Sequence, residues 1–414
     1  MISVLFWLCV AFILYTYFGY PLFLAFLTRF MPAKVEYPAY LPSVTLLVAA
    51  CNEEVVIAKK LENCLKLDYP GDQLQILVAA DGSDDRTPEI VRRFARQGVE
   101  LSYSPERRGK MAAINRAMPM ARGEVVVFSD ANNMYATDAL KKLVQPFGDS
   151  QVGAVSGAKV VLSREGGLDA SEGLYWRYES FIKKQETRLG SCTGVSGEIF
   201  AVRRDLFEPP PEEIINDDFY IALRIIRRGY RIAYVPDARS MEWISPTSKD
   251  EVIRRSRIVA GRFQAMVRAR ELLDLRNGLV VWQVVSHKFF RPLVPWAMLG
   301  ALLANLLAVM LPPQPGWHPL LSLAYPINWI FLAFQLLFYG LALLGSAVQF
   351  EGSVGKLLCL PAFMVNSQLA AVFGLFGYIS GRQTALWERV PRDASTSGLP
   401  HPVDSPATKP KTGK

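Results

Sequence analysis

The apolar positions of this chain are clustered, and the clusters differ in period. Residues 1–27 contain no charged side chain, and uncharged runs recur at 292–311, 319–350 and 357–380. Each reaches the ~20 apolar residues that a helix needs to cross a bilayer. Between them, residues 29–291 mix polar and apolar positions on a shorter scale. The runs 43–50 (SVTLLVAA), 75–80 (QILVAA) and 124–129 (EVVVFS) are nearly unbroken apolar stretches, the pattern of strands buried on both faces. Residues 99–103 add a short strand. Helical spacing fills the gaps at 51–67 (CNEEVVIAKKLENCLKL), at 87–97 with Pro88 near the first position, and at 110–120. Strands alternating with helices predict an α/β domain whose sheet is mostly parallel, with helices on both faces.

From residue 152 the rhythm changes. A strand at 152–161, an amphipathic helix at 174–188, a strand at 199–203, a helix at 217–228 and a strand at 230–235 form a mixed second half. A long basic helix follows at 249–274. The apolar segment 278–290, with Trp282, either lies along a membrane surface or begins the next spanning helix. The chain therefore divides into an N-terminal anchor (1–31), an α/β domain entered through a Pro-rich linker (32–245), basic or interfacial helices (246–291), C-terminal transmembrane helices (292–380) and a polar tail (381–414). The Ser/Thr/Pro/Lys-rich residues 395–414 are expected to be disordered. The first run has no basic start and no small-residue cleavage site, so a retained anchor is expected rather than a signal peptide.

Charge refines this picture. The 46 Lys and Arg against 38 Asp and Glu give a net charge of +8, but no basic block stands out. Nucleic acid is not expected as a partner; anionic lipid headgroups and phosphate-bearing substrates are. Arg29 and Lys34 after the first run favour an external N-terminus and a cytoplasmic α/β domain at the inner, or plasma, membrane. Four spans would then leave the tail outside, whereas Arg382, Arg389 and Arg392 favour the inside. One C-terminal segment is accordingly expected to be re-entrant or interfacial. The five cysteines are scattered without a CxxC pair, as expected for reduced thiols rather than disulfides or a zinc site. The only histidines are His287, His318 and His401, all beyond residue 245. That excludes Ser-His-Asp and Cys-His chemistry, and a His-ligated metal, within the α/β domain. A carboxylate, or failing that a lysine or tyrosine, must serve as any general base there.

Acidic residues gather where such a sheet places its ligands, beyond the carboxyl ends of the strands. The first strand leads into Asn52-Glu53-Glu54, the second into Asp81-Gly82-Ser83-Asp84-Asp85, the third into Asp130-Ala131-Asn132-Asn133. Each alone is explained by a turn or a helix cap; three on one edge indicate a site. Neither a GxGxxG nor a GxxxxGK[ST] motif is present, which disfavours a dinucleotide fold and a P-loop. Arg107-Arg108-Gly109-Lys110 at a helix start is either a solvated turn or a phosphate contact. Asp130 and Asn132 have the spacing of an oxygen-ligand pair for Mg2+ or Mn2+ held jointly with substrate phosphates.

The segments VAACNEE, AADGSDD, RRGKMAAINRAM, FSDANNMY, TGVSGEIFAVRRDLF and NDDFYIALRIIRRGYRIAYVPDA occur in that order. As an ordered set they resemble the motifs of family-2 glycosyltransferases with a GT-A fold, whose membrane-integrated members include the cellulose, hyaluronan and poly-N-acetylglucosamine synthases. The resemblance implies an inverting hexosyltransferase that uses a nucleotide-sugar, a UDP-sugar first, in cell-surface polysaccharide synthesis. It places Glu53 and Asp81 at the nucleoside and Lys110 near the donor phosphates. Asp130 and Asn132 would hold ribose, diphosphate and metal. Asn216-Asp217-Asp218 resembles Thr-Glu-Asp, which makes Asp218 the general base, with Asp217 on the acceptor side. Gly194, Ser196 and Gly197 would line the acceptor path. Arg254-Arg255-Ser256-Arg257-Ile258 resembles Gln-Arg-x-Arg-Trp, which directs Arg255 and Arg257 at the diphosphate. Two departures matter. Asn132 replaces an aspartate, and Ile258 replaces the tryptophan that processive synthases set beside the acceptor sugar. Single addition to a glycan or a polyprenyl-linked acceptor is therefore as compatible as polymerisation. A polyprenyl-phosphate monosaccharide transferase is the alternative within the class. A catalytically inactive nucleotide-binding subunit of a polysaccharide export complex is the alternative outside it. A transporter is disfavoured because the apolar runs carry almost no ionisable residue.

Overall fold

The computed structural model describes residues 1–31, 36–162, 167–243, 248–311, 318–347 and 352–383. Parts of the Pro-rich linker and nearly all of the polar tail lie outside those residues. One sheet of eight strands organises the α/β domain: β1 (Val44–Ala50), β2 (Leu74–Asp81), β3 (Val99–Ser104), β4 (Val125–Asp130), β5 (Met134–Tyr135), β6 (Val152–Leu162), β7 (Phe200–Arg203) and β8 (Arg231–Trp243), in the order β3-β2-β1-β4-β7-β6-β8-β5. Strands β3, β2, β1 and β4 are parallel. This is the expected half. Every residue of β1 is buried, as its unbroken apolar sequence requires. Beyond β4 the sheet is mixed. β7 runs antiparallel to both β4 and β6, β8 is parallel to β6, and β5 pairs antiparallel with β8.

The faces are covered by amphipathic helices. Helix Ile57–Leu65 buries Ile57, Lys60, Leu61 and Cys64, one face at helical spacing. Lys60 is fully buried, and its Nζ donates to Ser129 Oγ (2.7 Å), Asn133 O (2.8 Å) and Asn133 Oδ1 (2.9 Å). A buried lysine with three acceptors clamps the end of β4 to this helix. Helix Asp217–Arg227 buries seven residues, among them Phe219, Ile221, Leu223 and Ile225, against the other face.

Among the described residues four helices are long and apolar enough to cross a membrane: Ile2–Thr28, Gly278–Met310, Ile327–Ala347 and Leu360–Ile379. Phe23, Leu303, Leu337 and Phe373 are among the large apolar side chains they leave exposed, as lipid-facing surfaces do. Segment 278–290 runs on into the next apolar helix. Helix Gly278–Val284 runs through a π turn at Val285–Phe289 and a short turn at Arg291–Leu293 into Val294–Met310. The last of the four helices also packs on the basic helix Ser248–Val267. A Cβ on Gly374 would lie 2.6 Å from Ser256 O, so glycine there permits the last helix to lie directly on helix Ser248–Val267.

Candidate active site

The strand-end loops are latched to one another by their own polar side chains. Asn52 adopts a left-handed conformation (φ 56°), and its Oδ1 accepts from Asp84 N (2.9 Å) while its N–H donates to Ser83 Oγ (3.1 Å). Glu53 N donates to Thr87 Oγ1 (2.8 Å) and Glu54 N to Asp85 Oδ2 (3.0 Å). The Asp81 carboxylate, 2% exposed, accepts from Gly109 N (2.6 Å) and Arg108 N (3.2 Å). It therefore fastens the Arg-Arg-Gly-Lys turn to the end of β2. Gly82 sits at φ 51°, and a Cβ there would lie 2.6 Å from Arg107 Cα, so this approach requires glycine. Glu53, Asp81 and Lys110 thus share one edge, as their order along the chain suggested.

Lys110 begins helix Lys110–Ala117 and is almost fully buried. Its Nζ lies 2.9 Å from Asp130 Oδ1 and 3.3 Å from Asp217 Oδ2. It joins the end of β4 to the start of helix Asp217–Arg227. Burial by itself lowers the pKa of this ammonium, but the carboxylates of Asp130 and Asp217 more than reverse that and keep it charged. Burial likewise pushes Asp130 up, and Lys110 outweighs it, holding the carboxyl below its ordinary value. Asp218 goes the other way. Burial and then the neighbouring Asp217 carboxylate raise it to about 6. A Cβ on Gly197 would come within 3.1 Å of Asp218 Oδ2, so that glycine keeps the approach to the carboxylate open. Next to it, Asn216 Nδ2 donates to Ile258 O (2.8 Å), and a Cβ on Gly261 would lie 2.6 Å from Asn216 Nδ2. Glycine at 261 lets the basic helix press against the acidic turn.

Asp218, Ser196, Gly197 and Glu198 open into a cavity of about 530 Å3 that runs to the membrane-type helices. Gly194 is not itself among the lining residues; an added Cβ there would be 2.7 Å from Nζ of Lys288, which does line the cavity. Ser196 Oγ accepts from Lys183 Nζ (2.8 Å). On the β4 side, Asn132 Nδ2 donates to Glu242 Oε1 (2.6 Å), and Glu242 pairs with Lys159. Lys159 is 3.7 Å from Glu198 Oε1, a buried oxygen with no hydrogen bond among the described residues. Among the described residues no three His, Cys, Asp or Glu side chains converge as a cation cage. What is present is an all-oxygen set, Asp130 and the Asn132 amide with carboxylates nearby. That fits a hard divalent cation held by one or two protein ligands together with substrate phosphates.

Comparison with known proteins places this geometry. Residues 42–261, just over half of the chain, match the family described as glycosyltransferase like family 2. The chain belongs to that family. A β-monoglucosyldiacylglycerol synthase of Trichormus variabilis is 31% identical over 198 residues, 46% of this chain and 42% of the relative. A poly-β-1,6-N-acetyl-D-glucosamine synthase of Staphylococcus aureus is 26% identical over 237 residues, 55% of this chain and 56% of the relative. The chain thus spans about half the length of these curated relatives. The solved structure of a Pyrobaculum calidifontis mannosyltransferase in complex with GDP-Man and Mn2+ matches with a TM-score of 0.66 at 25% identity, over 90% of this chain and 99% of that one. The fold is the α/β GT-A fold that this family-2 chain was expected to have.

Arg255 and Arg257, expected at the diphosphate, have different surroundings. Arg255 pairs with Glu251, donates to Ser367 Oγ (2.9 Å) and stacks over Phe363 (4.4 Å). It lines the cavity on the side of the last helix. Arg257 Nη2 donates to Ile215 O (3.4 Å), next to the acidic turn, and is not among the cavity's lining residues. Ile258 does line the cavity. Sequence reasoning missed the rest of the wall: Trp176, Glu179 and Lys183 of helix Gly167–Leu189, with Arg262, Lys288 and Arg291. No local signal singled out the last two, since basic residues at the start of an apolar run ordinarily mark a membrane boundary.

Proposed function

We propose that this family-2 chain is an inverting glycosyltransferase that moves a hexose from a nucleotide-sugar to an acceptor hydroxyl presented at the membrane, with its α/β domain on the cytoplasmic side. The observation that carries the proposal is Asp218, a partly shielded carboxylate with its pKa near 6, standing where the strand-end edge meets the cavity. The donor binds along that edge, its nucleoside at Glu53 and Asp81 and its phosphates toward Lys110. Asp218 removes the proton from the acceptor hydroxyl as its oxygen bonds to the anomeric carbon from the face opposite the diphosphate. The bond from that carbon to the diphosphate breaks, and the nucleoside diphosphate leaves with the electron pair. A positioned base of this kind contributes about 10²–10⁴ in rate. One base without a second carboxylate acting as nucleophile suits a single inverting displacement.

Asp130 and Asn132 would hold Mg2+ or Mn2+, which when bound offsets charge on the departing diphosphate. Lys110 already places one fixed positive charge on that side. A uridine nucleotide is the first choice of donor. The GDP-Man in the solved mannosyltransferase supports a guanosine nucleotide as the second. The acceptor is a lipid-linked or free glycan.

Purified membranes supplied with radiolabelled UDP- and GDP-sugars and Mn2+ should form labelled product. That product should disappear with EDTA and in an Asp218→Asn variant. Product that persists in the variant would refute the assignment of the base. Absence of product with intact nucleotide binding would favour the inactive export-complex subunit.

A further inference from the structure

The cavity that starts at Asp218 ends among cations that the transfer chemistry does not use. Lys183, Arg262, Lys288 and Arg291 all line it. The two lysines and Arg291 are buried, and Arg262 is half-buried. Their compensation is thin. Glu179 pairs with Arg291 Nη1 and lies 3.6 Å from Lys288 Nζ. Glu186 is committed elsewhere, to Tyr20 Oη (2.6 Å), His287 Nδ1 (2.7 Å) and Thr193 N (2.8 Å). Lys183 Nζ reaches Ser196 Oγ and the face of Tyr234, with no carboxylate in contact among the described residues. Arg262 has no ion-pair partner among the described residues. Among the described residues Arg291 Nε and Nη2 are buried with no hydrogen-bond partner, while the guanidinium lies over the Tyr178 ring (5.4 Å). These two nitrogens form one edge of the guanidinium, the fork that receives a phosphate or carboxylate in bidentate fashion. Among the described residues Glu179 is the one carboxylate that pairs with any of these four cations, which leaves buried positive charge that a bound anion would offset.

The opposite wall is apolar. Tyr17 and Phe18 come from the N-terminal membrane-type helix, and Leu360, Phe363 and Met364 from the last one. A free phosphate would balance the cations but leave this wall bare. The distance to the base is also informative. Gly194 abuts Lys288 and Gly197 abuts Asp218. Three residues of chain span at most roughly 11 Å. The cations therefore lie within reach of the base, in the same cavity.

We infer that this end of the cavity is a subsite for an anionic amphiphile, a phosphate carried on an apolar chain. The phosphate is received by Arg291, Lys288 and Arg262, and the chain lies against Phe18, Phe363 and Met364. The inference rests on the transferase reading only in making this molecule the acceptor or its carrier; binding itself needs no turnover.

The test is equilibrium binding to the full-length chain in neutral detergent, with farnesyl phosphate, farnesol and inorganic phosphate as probes. UDP binding, measured alongside, reports folding of the variants and tests the transferase reading separately. Farnesyl phosphate should bind at least about tenfold more tightly than either of the other two. Arg262→Gln and Lys288→Met should each weaken it by about tenfold or more while UDP binding is retained, as expected for loss of a charge-assisted contact. Farnesol binding as tightly as its phosphate would overturn the anionic subsite. Inorganic phosphate binding as tightly would assign the cations to a free anion such as the departing diphosphate. Farnesyl phosphate affinity unchanged in both variants would place its site elsewhere.

Discussion

Replacing Asp218 by asparagine is expected to make the protein more stable as it makes it inactive, and the two effects share one cause. Burial and Asp217 raise the carboxyl from 3.8 to about 6. Keeping it ionised in the folded state therefore costs about 3 kcal/mol, at 1.36 kcal/mol per pH unit, and less where cavity water screens the pair. The sign follows from the direction of the shift. The folded state holds this proton more tightly than the unfolded chain does. The stabilising share is present in full below about pH 4 and is lost as pH rises through 6. Asparagine mimics the protonated form at every pH. Its advantage over the native residue should be near zero at pH 4, partial at pH 5 and full from about pH 7. For an α/β domain of this size, 3 kcal/mol corresponds to a rise in Tm of roughly 6–12 °C as an upper limit. Thermal unfolding of the purified chain at pH 5 and pH 8 reads it directly. Turnover by the native protein should fall on the acid side with a limb near pH 6, and kcat of the variant should drop by about 10²–10⁴ at pH 8. A Tm difference that is the same at both pH values would refute the reasoning, because it would trace stability to packing rather than to ionisation.

Lys110→Met removes the cation shared by Asp130 and Asp217 and leaves two half-buried carboxylates facing each other. Destabilisation of about 3 kcal/mol is expected, the low end for a broken buried pair because Asp130 keeps some access to water, together with weaker nucleotide binding; unchanged denaturant midpoint and unchanged UDP affinity would both contradict it. Gly261→Ala drives a Cβ against Asn216 and should displace the acidic turn from the basic helix. Its kcat should fall at least about tenfold while nucleotide affinity stays within about twofold, and loss of both together would indicate general unfolding instead.

The parallel half of the sheet was legible because its strands announce themselves locally. SVTLLVAA, QILVAA and EVVVFS have no polar interruption, and each ends in residues that favour turns. β7 was expected as a strand but not as an antiparallel one, because four residues carry no directional signal. Its direction is set by where helix Gly167–Leu189 returns the chain. The strand-end acids were legible as a group, and the structure adds their connections. Asp81 spends its carboxylate on the backbone of residues 108 and 109, so part of its role is to shape the loop that presents Lys110. No spacing rule joins residue 81 to residue 109. Arg255 shows the opposite limit. Its motif was legible, but its direction depends on Tyr175 and Phe363, residues 80 and 108 positions away in different elements.

The same argument explains why the charged end of the cavity escaped the sequence. Glu179 and Glu186 lie seven residues apart on one amphipathic helix, where acids ordinarily face water. His287, Lys288 and Arg291 lie at the start of an apolar run, where basic residues ordinarily mark a membrane boundary. Each has a sufficient local explanation, and only folding brings the two sets within hydrogen-bond distance. Burying them together is costly unless the result is used, since an apolar interior of the same volume would be at least as stable. Glu186 and His287 satisfy each other, so their burial can be structural. Arg291 keeps an unpartnered edge and Lys183 has no carboxylate in contact among the described residues, so theirs lacks that justification. The incomplete pairing, more than the number of charges, separates a binding surface from an internal brace.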